Sequence, residues 1–169
     1  MGIIAKLSID WDKAYRILER LNISMPTAIP GEPLNLEHLR DLAIEVHMKR
    51  DKCTEVYQRV SRKEANCKRD VRLAKENLRL QRIANRNDSD VLRCTTKTEK
   101  ESLIEELVVV SSSRLAILQG RLDEWQAYLS SVDMQLKQLE QSKQILNTLT
   151  KLTLADLKLS GQLPDTYHL

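Results

Sequence analysis

Apolar side chains recur along most of this chain at alternating steps of three and four, and the rhythm lapses at prolines, glycines or short polar clusters. From Leu36 to about Arg86 there is neither proline nor glycine. Within that stretch Leu39, Val46, Cys53, Val60, Cys67 and Ala74 fall at successive sevens, with Ala43, Tyr57, Val71 and Leu78 four positions on from members of the series. Such a heptad seam predicts one long amphipathic helix, and Asn35 is placed to cap its start. A second seam is clearer. Leu115, Leu122, Leu129 and Leu136 interleave with Leu118, Trp125, Val132, Leu139 and Leu146. A period of about 3.5 residues predicts a helix that supercoils with a partner in the left-handed sense. Gly120 interrupts this pattern at a cost of about 1 kcal/mol against Ala, and the expected compensation is the close approach of another backbone.

The breaks between these patterns set the order of elements. Residues 85–90, NRNDSD, end the first seam. Thr96-x-x-Glu99 and Thr98-x-x-Glu101 both fit the capping box, in which a hydroxyl accepts from an orphan N–H and the carboxylate returns to the cap residue. The second long helix is therefore expected to start at Thr96 or Thr98. A connection of about ten residues makes the two helices antiparallel neighbours. Upstream, a short helix is predicted over Asp10–Asn22, with Trp11, Ile17, Leu18 and Leu21 on its apolar side and Ser8 or Asp10 as cap. Residues 23–35, ISMPTAIPGEPLN, hold three prolines and a glycine and read as an extended connector.

The expected fold is all-α: a long antiparallel helical hairpin, a coiled coil, carrying a short N-terminal helix. Three segments follow: 1–35 with the short helix and connector, 36–152 with the hairpin, and 153–169 as a tail. The tail keeps Leu154, Leu157 and Leu159 before Gly161 and Pro164 end the pattern. At 1.5 Å per residue each arm would run roughly 75 Å, which points to an elongated molecule. Two helices alone bury a narrow stripe, so self-association into a homo-oligomer is expected. The second seam, from Leu115 to Leu146, supplies the expected oligomer or partner interface.

Composition excludes more than it identifies. The chain has 169 residues with no Phe, four Gly and four Pro, and 27 basic against 24 acidic groups leave a net charge of only +3. Three cysteines form no CxxC pair, so neither a disulfide framework nor a zinc site is expected, and a reduced cytoplasm is the natural place. Cys53 and Cys67 sit on the seam as small apolar residues, and Cys94, in the turn, is the one candidate for a reactive thiol. His38, His47 and His168 are dispersed, and no metal or other cofactor is expected. There is no glycine-rich phosphate loop, no nucleophile elbow and no convergent carboxylate pair, so neither an enzyme nor a small-molecule substrate is expected. The N-terminal MGIIAKLSIDW lacks the apolar run of a signal peptide, and nowhere do about 18 apolar residues occur together to span a membrane.

Charge distribution says more than net charge. From Lys49 to Arg86 thirteen basic residues stand against five acidic ones, whereas from Glu99 to Gln141 four basic residues stand against eight acidic ones. Lys68, Arg72, Lys75, Arg79, Arg82 and Arg86 follow one another at steps of four and three, which aligns them beside the seam as a ribbon. In one reading this ribbon is a solvated flank that pairs with the acidic second helix. In the other it binds phosphate, because Glu124, Asp133 and Glu140 are too few to neutralise it. Tyr57 is the only aromatic in that helix, so contacts to a nucleic acid are expected mainly at its backbone.

The second helix also resembles a known family. LDEWQAYLSSV at Leu122–Val132, followed by LKQLEQSKQIL, is similar to the C-terminal helix of UvsY-type phage recombination mediators, and CKRDVRLAKENLR at Cys67–Arg79 occupies the place of their earlier basic stretch. The resemblance covers about residues 45–150. It implies a ring-like homo-oligomer that binds single-stranded DNA, contacts the single-strand-binding protein and helps load a RecA-type recombinase in the host cytoplasm. Carried onto matching positions, it implies Lys68, Arg69, Arg72, Lys75 and Arg79 as DNA-facing residues, with Lys143 as an addition. The alternative from another class is a structural or adaptor coiled coil, such as a secretion stalk, assembly chaperone or scaffold, with the same heptads and no affinity for nucleic acid.

Overall fold

The computed structural model describes residues 9–24 and 35–161, all of whose regular structure is helical. The helices are α1 (Trp11–Leu21), α2 (Leu36–Asn85), α3 (Ser89–Arg93), α4 (Lys97–Leu107) and α5 (Val109–Leu159). The long helices α2 and α5 pack against each other in opposite directions. As residue numbers rise along α2, those of the partners on α5 fall: Val46 clusters with Leu146, Arg50 meets Glu140, Cys53 lies against Val132, and Glu64 meets Gln126.

Helix α2 begins where expected. The Asn35 side chain accepts from the Glu37 N–H at 2.9 Å, and the Leu39 N–H reaches the Asn35 carbonyl at 3.1 Å. At the other end α5 runs past the expected limit at 152 to Leu159. There Gly161, with φ of 70°, turns the chain while its N–H reaches the Lys158 carbonyl at 3.1 Å. A left-handed residue at this place satisfies a terminal carbonyl, and glycine adopts it without steric cost.

The described chain divides into two units, one of residues 9–10 and 59–129 and the other of residues 11–24, 35–58 and 130–161. In the second of these, Leu39, Leu42, Val46 and Leu146 form a buried cluster on which Ile23 and Leu149 pack. Full burial of one such side chain contributes about 1.5–3 kcal/mol. Leu42 takes the inward place expected of Ala43, which is exposed. A step of three from Leu39 brings the larger side chain to the cluster, where Ile23 adds a contact that a two-helix seam lacks. Helix α1 buries Ala14 and Leu21, while Trp11, Ile17 and Leu18 are half-buried. Its C-terminal end is held by side chains: Gln135 donates to the Leu21 carbonyl at 3.2 Å, and the Lys49 ammonium donates to the Asn22 carbonyl. A cation and an amide donor there meet carbonyls that the helix leaves unpaired.

In the other unit Val60, Val71 and Leu78 of α2 are buried, as are Val91, Val108 and Tyr128. The connection expected after residue 85 contains α3, capped by the Asp88 side chain, which accepts from the Asp90 N–H at 2.9 Å. Of the two expected caps, Thr96 is the one used. Its hydroxyl accepts from the Glu99 N–H at 3.2 Å, and the Glu99 carboxylate accepts from the Thr96 N–H at 3.1 Å. Donors on Thr96 and Thr95, the Thr96 backbone N–H foremost, hold the Glu99 carboxyl below its ordinary range.

Two expectations for the second long helix are corrected. It is not continuous from Thr96, because Val108 (φ −103°, ψ 8°) separates α4 from α5. Val108, Val109 and Val110 are consecutive β-branched residues, which crowd the preceding turn of a helix. Nor does another backbone among the described residues approach Gly120: a Cβ built there meets none of their atoms within 4 Å.

Candidate nucleic-acid interface

The basic residues of α2 take their positions from the seam. With Val71 and Leu78 buried, Lys68, Arg69, Arg72, Lys75, Arg79, Arg82 and Arg86 are all left exposed. Three of them have carboxylate partners. Arg79 forms a fork on Glu76, with Nε at 3.0 Å from Oε2 and Nη2 at 2.7 Å from Oε1. Arg82 reaches Glu105 of α4 at 2.9 Å, and Arg69 lies 4.0 Å from Asp70. The hydrogen bond from Arg79 lowers the Glu76 pKa, and Glu76 in turn raises that of Arg79. Lys68, Arg72, Lys75 and Arg86 have no ion-pair partner among the described residues.

The acids expected to neutralise the ribbon are engaged elsewhere. Glu124 accepts from the Ile9 N–H at 3.5 Å, Asp133 pairs with Lys137 at 2.8 Å, and Glu140 pairs with Arg50 at 2.8 Å. Lys143 lies 3.9 Å from the same Glu140.

A groove of about 460 Å³ runs along the C-terminal part of the ribbon. Its cationic lining is Lys75, Arg79, Arg82 and Arg86, and its apolar lining is Leu78, Ile83 and Leu115. The heptads place Leu78 and Leu115 on seams and leave Ile83 out. The available signal was its spacing, since Ile83 stands four residues after Arg79 and three before Arg86.

The expected interface residues divide by burial. Val132, Leu139 and Leu146 are at most 1% exposed, so the hairpin itself takes them up and they offer no free surface to a partner. Leu115, Leu118, Leu122, Trp125, Leu129 and Leu136 are half-buried. Cys53 is buried and its thiol is pushed up to about 11 by that burial, while Cys67 and Cys94 are half-buried. His47 lies 3.6 Å from Asp51, and His168 falls outside the described residues. Among the described residues no group of His, Cys, Asp and Glu could hold a metal ion, and no helix is long and apolar enough to cross a membrane. No family of known proteins, no curated protein and no solved structure matches this chain.

Proposed function

We propose that this chain is a non-catalytic helical-hairpin protein that binds single-stranded DNA along α2 and acts as a recombination mediator, helping to load a RecA-type recombinase. The observation that carries the reading is the row of exposed cations Lys68, Arg72, Lys75 and Arg86, without ion-pair partners among the described residues. Such a row attracts phosphate through counterion release and reads no sequence. The resemblance at Leu122–Val132 and Cys67–Arg79 supports the narrower role, and with it a homo-oligomer that contacts a single-strand-binding protein.

An anisotropy titration with a labelled single strand at stepped salt tests this. Neutralising about four phosphates predicts a slope of log affinity on log salt near −3. Replacing Lys68, Arg72, Lys75 and Arg86 with Gln should abolish most binding and flatten that slope. Unchanged affinity in this variant, or no binding by the wild type at low salt, sinks the proposal.

The adaptor reading draws on a different observation, the exposed Leu107, Val109 and Val110 around the α4–α5 break. A stable hetero-complex lost on Val110→Asp, with no affinity for single strands, would favour it.

A further inference from the structure

We infer that the groove beside Arg79 and Arg82 is a site for one unpaired nucleotide, with the base against its apolar lining and the flanking phosphates on Lys75 and Arg86. This rests on the single-strand reading above and adds to it a contact with the base. The division of labour follows from the ion pairs. Arg79 and Arg82 already pair with Glu76 and Glu105, so each has less charge to offer phosphate than the cations unpaired among the described residues, while its guanidinium keeps a planar face beside the groove. A guanidinium plane is a platform on which an unstacked base can lie. Lys75 and Arg86, which line the same groove, keep their charge for phosphate.

The lining suits a base rather than a phosphate backbone alone. Leu78 is buried beneath the groove, Ile83 is 45% exposed at its edge, and Leu115 of α5 is half-buried. Aliphatic surface does nothing for phosphate but covers the face of a base. The volume, about 460 Å³, falls within the range of pockets that hold small organic molecules. A duplex keeps its base faces stacked inside, so this site selects single strands. The scarcity of aromatics therefore does not confine contacts to the backbone, because guanidinium planes take the aromatic role.

Three labelled probes of equal length test the site: an oligodeoxythymidine, an abasic strand and a duplex. The wild type should hold the oligodeoxythymidine about fivefold or more tightly than the abasic strand. Ile83→Gln and Arg82→Lys should each remove most of the difference between the oligodeoxythymidine and the abasic strand. Arg82→Lys keeps the charge and loses the plane, and Ile83→Gln alters an exposed position, so circular dichroism should show both variants folded. Equal wild-type affinity for the two strands, or a duplex held as tightly as the oligodeoxythymidine, overturns the nucleotide site and leaves the ribbon proposal standing. Absence of binding to every strand at low salt overturns both. Binding of an acidic, Leu-containing peptide that Ile83→Gln abolishes, with no base-dependent strand binding, makes the groove a peptide site and also overturns the inference.

Discussion

Burial decides how the three cysteines behave. Cys53 is 0% exposed, and its thiol lies 3.7 Å from the Val132 carbonyl. Removal from water disfavours the thiolate, so its pKa rises from 9.0 to about 11. Between those values the unfolded chain gives up a proton that the native state keeps, and stability falls as pH rises through that window. Urea denaturation at several alkaline pH values should therefore show a steeper loss for the wild type than for Cys53→Ala. A thiol reagent near neutral pH should label Cys94 before Cys53, and equal labelling rates would contradict the burial of Cys53. The heptad spacing made Cys53 and Cys67 equivalent. Only the packed structure separates them, with one buried and the other half-buried.

Within single elements, the start of α4 shows how local chemistry chooses between equivalent signals. Thr96 and Thr98 both stand three residues before a glutamate, yet it is Thr96 that has the extended dihedrals of a cap (φ −106°, ψ 153°) and a reciprocal bond with Glu99. Thr96→Ala should cost about 1 kcal/mol in thermal or urea unfolding. Thr98→Ala, inside the helix, should cost no more than a few tenths of that unit. Equal costs would mean that the cap is misplaced. Because the Glu99 carboxyl is held below its ordinary range, its contribution is present above that range and is lost as pH falls through the lowered value. The break at Val108 was not legible because a capping box signals a start, whereas three consecutive valines only weaken a helix.

Across the molecule, stability and the proposed binding rest on different residues. The hairpin core includes Leu39, Val46, Cys53, Val132, Leu139 and Leu146, all at most 1% exposed, while the ribbon is exposed throughout. Replacing Lys68, Arg72, Lys75 and Arg86 with Gln should therefore shift the thermal midpoint by no more than about 4 °C, since exposed substitutions change stability little. A large drop would show that the ribbon is structural. Periodicity, turn residues and loop length act locally along the chain, and they were enough to specify α2, the heptad body of α5, their antiparallel pairing and the alignment of the cations, though not the break at Val108. Packing alone settled which seam residues are fully buried, which carboxylates neutralise which cations, and that Ile83 and Leu115 share a groove with the ribbon. Those outcomes depend on side chains far apart in sequence, such as Arg82 with Glu105 and Leu78 with Leu115, whose approach no local pattern encodes.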